Sequence, residues 1–177
     1  LLAARAAADA RIRLLQPGRV GFVGAVNRGL EAARAPLVAR MDADDRMLPA
    51  RLERQVRLHG SDPTLTLTGC RVRLFPEAAV AAGMREYVRW QNACVEPEVI
   101  AGEAYVELPI AHPSMCYRRA AVLDIGGYRE GPFPEDYDLF LRLHAAGHRM
   151  AKVPAVLLEW REGPDRLSRT DPRCTRE

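Results

Sequence analysis

The sequence predicts an α/β domain built on a mostly parallel central sheet, and three observations lead there. Residues 12–15 and 37–41 are short apolar runs with a helically spaced segment between them, the strand-helix-strand unit of a parallel sheet with a right-handed crossover. The second run ends directly on Asp42-Ala43-Asp44-Asp45, a group of carboxylates at the end of a strand, where an open α/β sheet has its ligand crevice. Further on, β-prone runs keep alternating with segments of helical period.

In order along the chain, residues 1–10 are Ala-rich and read as the last turns of a helix that starts upstream, so a fragment is expected. Residues 12–15 form a short strand, and Gln16-Pro17-Gly18-Arg19 is turn chemistry. In residues 23–34, Val23, Val26, Leu30 and Ala33 recur at helical spacing, and Pro36 stops the helix. Residues 37–41 are the second strand. Pro49 opens a helix to about residue 58, with Leu52, Val56 and Leu58 apolar and Glu53 paired to Arg57 on the solvent side. Gly60-Ser61-Asp62-Pro63 ends it. Residues 65–68 and 70–75 are β-prone, 77–94 helical, and 96–106 continue as helix. Ser114-Met115-Cys116-Tyr117 reads as a strand, 119–125 as a short helix, and Gly126-Gly127-Tyr128 as a turn needing glycine's freedom. A helix from about Pro134 through Leu143 ends at Gly147, and 150–160 is a last strand, interrupted at Pro154.

Composition narrows the function classes. At 177 residues, 48% hydrophobic and 28% charged, the chain suits one soluble globular domain. The net charge of +3 comes from dispersed arginines, and aromatics are only 6%, so no nucleic-acid surface is indicated. Cys70, Cys94, Cys116 and Cys174 are far apart, without zinc spacing, and read as reduced thiols of a cytoplasmic protein. No apolar stretch is long enough to span a membrane, which leaves room for peripheral contact with one.

Two carboxylate sites stand out. Three acids in a half-buried crevice repel one another unless a cation or an arginine neutralises them, and a hard divalent ion carrying substrate phosphates is suited to them. Helix-capping aspartates before Pro49 are the plainer reading. An EF-hand is poor, because Arg46, Leu48 and Pro49 replace the expected oxygen ligands and turn glycine. An aspartyl-nucleophile phosphatase is a further alternative. Downstream, Glu135 and Asp136 open a helix in which Asp136, Leu139, Phe140 and Leu143 share one face. That puts Asp136 on the inward face, a suitable place for a general base, although acids at helix starts are common through the dipole alone. His112, before Pro113 in an apolar setting, reads as a structural histidine, and His59, His144 and His148 as capping or surface residues. No nucleophile elbow or phosphate-binding loop ending in Lys is present.

Asn27-Arg28-Gly29-Leu30, Met41-Asp42-Ala43-Asp44-Asp45, Gly126-Gly127-Tyr128 and Glu135-Asp136-Tyr137-Asp138-Leu139, in that order, resemble family 2 glycosyltransferases of the GT-A fold over nearly the whole chain. His112-Pro113-Ser114 and Trp160-Arg161 through Leu167-Ser168-Arg169 look like its bacterial members. The resemblance implies a Rossmann-like α/β/α sandwich, a nucleotide-diphosphate-sugar donor, a divalent metal (Mn2+ or Mg2+) and inversion at the anomeric carbon. It implies a glycan or lipid-linked acceptor, met in the cytoplasm or at the inner face of the membrane. Asp44 would be the principal metal ligand, Asp42 a ligand of metal or ribose, and Asp45 their support, with Asn27 and Arg161 on the donor side. Asp136 would be the base with Glu135 beside it, and His112, Gly127 and Tyr128 would face the acceptor. The donor part would cover about 1–75 and the acceptor part about 76–170 of one partial domain.

Two departures follow from the same comparison. The family's opening strand, helix and second strand, with its acidic nucleobase contact, have no counterpart here, so the first strands of the sheet are expected to be missing. The histidine that many members carry after the last strand is replaced by Trp160-Arg161-Glu162-Gly163-Pro164, and Arg161 would meet phosphate charge instead. A non-catalytic, degenerate homologue acting as a binding module is the alternative from another class.

Overall fold

The computed structural model describes residues 1–16 and 18–163. Its helices are α1 (Leu2–Ala8), α2 (Gly21–Ala32), α3 (Arg51–Ser61), α4 (Ala82–Ala93), α5 (Pro97–Gly102), α6 (Arg119–Asp124) and α7 (Glu135–Ala145). Its strands are β1 (Leu37–Ala39), β2 (Arg46–Met47), β3 (Leu65–Phe75), β4 (Cys116–Arg118) and β5 (Arg149–Arg161), in the sheet order β1-β4-β3-β5-β2. The two long strands, β3 and β5, pair in parallel over ten registered positions, and β1 runs in their direction. The short β4 and β2 enter antiparallel.

Alternation along β3 explains the layers. Leu67 points into a core with Val23 and Leu30 of α2, Val122 of α6 and Leu139, Phe140 and Leu143 of α7. Thr68 points the other way, toward Gln55 and His59 of α3. Cys70 and Val72 join Val88 of α4, Val153 and Leu158 in a second cluster. Helices therefore cover both faces of the sheet, as an α/β/α sandwich requires.

Several local expectations are corrected. Residues 12–15 are not a strand, because no neighbouring strand among the described residues pairs with them, and a period-two pattern without a partner leaves backbone groups unbonded. The 77–94 helix splits into a 3-10 turn at Glu77–Ala79 and α4, and only Pro97–Gly102 of 96–106 is helical. Pro154 does not interrupt β5; it sits in a bulge between Val153, opposite Cys70, and Val156, opposite Arg71, where no ladder bond is asked of it.

The main correction concerns α3. Its buried residues are Arg51, Gln55 and His59, spaced by four, while Leu52 and Val56 are 45% and 52% exposed. The buried side chains reach backbone carbonyls at and beside β1 and β4. Arg51 Nη2 donates to Arg40 O at 2.8 Å, Gln55 Nε2 to Ser114 O at 2.9 Å, and His59 Nε2 lies 3.1 Å from Cys116 O. His59 is thus an internal hydrogen-bonding residue, not a surface cap. The Glu53–Arg57 pair forms on the solvent side at 2.6 Å, as its spacing indicates.

Candidate active site

The aspartate loop hangs between β1 and β2, and each acid in it has a different environment. Asp42 pairs with Arg40 at 2.6 Å. Asp45 is buried: Oδ1 accepts the backbone N–H of Arg161 at 2.7 Å, while Oδ2 is enclosed without a hydrogen-bond partner. Burial pushes its carboxyl up to about 6, against the pull of that N–H and with help from the charges of Asp42 and Asp44. Asp44 is exposed, and its carboxylate makes no hydrogen bond or ion pair with the described residues. Its backbone carbonyl accepts from Arg161 Nε at 2.9 Å. The Arg161 guanidinium lies 4.6 Å from the centre of the Phe75 ring, and that of Arg46 4.5 Å. Loop and strand end are thus tied together, with Arg161 beside Asp44 and Arg46 paired to Glu159 at 3.5 Å.

The second carboxylate opens α7. Asp136 Oδ1 accepts the Tyr137 N–H at 2.8 Å, and Oδ2 stands 3.6 Å from His112 Nδ1. The side chain keeps 23% of its surface open. Burial pushes its carboxyl up to about 6, and the charge of Glu135, itself buried, adds to that; the helix N–H and Arg40 oppose it. His112 is buried, with Nε2 2.9 Å from the Tyr128 hydroxyl. Burial first, then the charge of Arg40, hold its imidazole well below the ordinary pKa, so it is neutral.

The turn that delivers Tyr128 is clamped by Asn27. Asn27 Nδ2 donates to Tyr128 O and its Oδ1 accepts Tyr128 N–H, each at 2.9 Å. Gly127 has φ of +66°, and a Cβ there would come within 2.7 Å of Asn27 Oδ1, so both the conformation and the close approach call for glycine. Asn27, expected at the donor, has both polar ends of its amide committed to this turn.

Two residues that sequence reasoning passed over join the halves. The Arg40 side chain is 9% exposed, ion-paired to Asp42, and its guanidinium carbon lies 5.8 Å from the centre of the Phe22 ring. Phe22 meets His112 edge-on at 6.5 Å, and His112 faces Asp136. A chain of contacts therefore runs Asp42–Arg40–Phe22–His112–Asp136. A cleft of about 290 Å³, lined by Phe22, Val23, Glu130 and Gly131, opens beside it. The available signal was Arg40 itself, a lone cation inside the apolar run just before the acids. Pro164, Leu167, Ser168, Arg169 and Cys174 lie outside the described residues.

Among the described residues no three His, Cys, Asp or Glu side chains converge as a metal cage. With Asp42 and Asp45 engaged by Arg40 and Arg161, Asp44 is the free carboxylate. That donor set fits a hard ion that takes most of its shell from substrate phosphates and water.

The fold is of the GT-A class. It superimposes on the mannosyltransferase PcManGT from Pyrobaculum calidifontis, solved with GDP-Man and Mn2+, with a TM-score of 0.64 at 17% identity, covering 90% of this chain and 42% of that one. For S. aureus TarS 1-349 the TM-score is 0.60 at 16% identity, covering 85% and 42%. The chain belongs to glycosyl transferase family 2, whose model it matches over residues 2–126. It is 33% identical over 150 residues to the amylovoran biosynthesis glycosyltransferase AmsE of Erwinia amylovora, covering 85% of this chain and 54% of AmsE. It is 30% identical over 153 residues to an uncharacterized glycosyltransferase of Haemophilus influenzae, covering 86% and 55%. The chain spans about half the length of these curated relatives.

Proposed function

We propose that this chain carries the leaving-group side and the base of an inverting glycosyltransferase that moves a sugar from a nucleotide-diphosphate donor to an acceptor hydroxyl. The observation that carries the reading is the run of contacts from Asp42 through Arg40, Phe22 and His112 to Asp136, which links the two carboxylate sites. In the proposed reaction Asp136 takes the proton of the acceptor hydroxyl, whose oxygen forms a bond to the anomeric carbon as the bond from that carbon to the diphosphate oxygen breaks. Asp44 would hold a divalent metal, which when bound stabilises the departing diphosphate. Arg161 adds positive charge beside Asp44, and Asp45 fixes the loop that presents it. The GDP-Man and Mn2+ held by the fold's neighbour support both donor class and metal. Among the described residues no helix is long and apolar enough to cross a membrane. We place the reaction in the cytoplasm, with a glycan or lipid-linked acceptor, the latter reached at the inner membrane face.

In the full chain Asp136→Asn should lower transfer by about 10²–10⁴-fold, the usual worth of a positioned base, with donor binding retained. The base must be ionised, so the parent kcat should climb as pH rises through about 6, the value to which Asp136 is pushed. Undiminished turnover of the Asn variant would remove Asp136 from this role. A binding module is the second reading, favoured by the engagement of Asp42 and Asp45 with protein partners. Calorimetry with manganese and nucleotide-diphosphate sugars separates the two, because the module reading expects no metal-coupled donor binding.

A further inference from the structure

The reading of Asp136 as base leaves its neighbour His112 without a task. We propose that His112 is a positioning residue for Asp136, a neutral imidazole that takes the Tyr128 hydroxyl on Nε2 and presents Nδ1–H to the carboxylate. The inference rests on the base assignment and adds to it the device that aims the base.

The geometry decides which member of the pair touches substrate. Both imidazole nitrogens face protein groups, Nε2 at 2.9 Å from the Tyr128 hydroxyl and Nδ1 at 3.6 Å from Asp136 Oδ2, and the residue is 6% exposed. Neither nitrogen is open to an acceptor hydroxyl. Asp136, with 23% of its side chain open, is the group an acceptor can reach. At 3.6 Å the His112–Asp136 contact is looser than a hydrogen bond, and such contacts commonly tighten in the substrate complex.

In the proposed tautomer Nε2 accepts from the Tyr128 hydroxyl, whose oxygen also pairs with the Tyr117 hydroxyl, and the ring proton sits on Nδ1, aimed at the carboxylate. Asn27 holds Tyr128 by its backbone, and Phe22 closes the edge of the ring. The charged and titratable groups facing Asp136 are Glu135 from α7, Arg40 after β1, His112, and Tyr128 from the glycine turn. Of these, His112 sets a ring nitrogen, Nδ1, 3.6 Å from an Asp136 oxygen. An N–H on one carboxylate oxygen favours the ionised base and limits its rotation, while Tyr137 N–H steadies the other oxygen.

The test uses the full chain with three variants. His112→Phe fills the site and excludes water but removes both nitrogens; kcat should fall about 10²-fold, the scale of a misplaced catalytic group, with donor KM within about twofold. The acid limb of its kcat profile should move to higher pH, because the carboxylate has lost a donor. His112→Asn can return an N–H near the Nδ1 position and should recover part of kcat and the parent limb. Tyr128→Phe should shift the limb in the same direction by less. Parent kcat and an unmoved limb in His112→Phe would overturn the proposal. So would a loss that follows a lowered Tm equally in the Phe and Asn variants, since that is what a packing role predicts. Activity surviving in Asp136→Asn would instead break the base assignment and identify itself as that separate failure.

Discussion

At the scale of single residues, the three loop acids occupy different environments although the sequence presents them as equals. Asp44→Ala should weaken manganese-dependent donor binding by roughly 10²-fold, comparable to other losses of a charged contact in a site; equal affinity with and without manganese in both proteins would sink the metal assignment. Asp45 should instead affect stability. Its folded carboxyl is raised to about 6, so the folded chain holds a proton that the unfolded chain has released between about pH 4 and 6. Stability from this group is therefore full below its unfolded pKa and lost as pH rises through about 6, on the order of 2–3 kcal/mol. Asp45→Asn keeps an acceptor for the Arg161 N–H without the charge. Its Tm should exceed the parent's at pH 7.5 by more than at pH 4.5, both measured in EDTA; a gap independent of pH would exclude the buried charge as the cause. The sequence disclosed Asp136 because helical spacing placed it on the apolar face. It did not disclose Arg40 or Phe22, since a guanidinium and a ring brought together from separate elements leave no local pattern.

At the scale of elements, the long apolar runs were legible and the polar ones were not. β3 and β5 announce themselves by β-branched and aliphatic content, and α7 by its apolar face. Helix α3 hides its inward face, because Arg51, Gln55 and His59 look like solvent residues until the carbonyls of residues 40, 114 and 116 are placed opposite them. Its N-cap, Ala50, takes a left-handed φ of +67°, and the helix starts at Arg51 after it, two residues beyond Pro49. Close packing around β3 gives a cleaner test. A Cβ on Gly69 would meet Ile110 Cγ2 at 2.4 Å and Lys152 Cγ at 3.1 Å. Gly69→Ala should cost about 1–3 kcal/mol through overpacking, read by urea unfolding; an unchanged midpoint would mean that Ile110 yields freely.

At the scale of the whole molecule, the sheet order sets the long parallel pair, β3 and β5, between the short antiparallel strands β4 and β2. Parallel pairing was foreseeable from alternating helices and strands, but the antiparallel entry of β4 and β2 depends on contacts far apart in sequence. The bulge at Pro154 sets the register of the part of β5 that runs on to the candidate site. Beyond it β5 also carries β2, and its last residue, Arg161, reaches Phe75 on one side and Asp45 on the other. Deleting Ala155 would draw the strand end back by one residue, about 3.3 Å, or turn its side chains to the opposite face. Either change separates Arg161 N–H from Asp45, so the deletion should destroy metal-dependent donor binding even if folded protein is recovered, whereas Ala155→Ser should be mild; donor calorimetry on both would show it. The bulge thus works as a ruler: chain length between Val153 and Arg161 is itself a functional variable, and in this stretch gains and losses of residues should be tolerated far less than exchanges of one side chain for another.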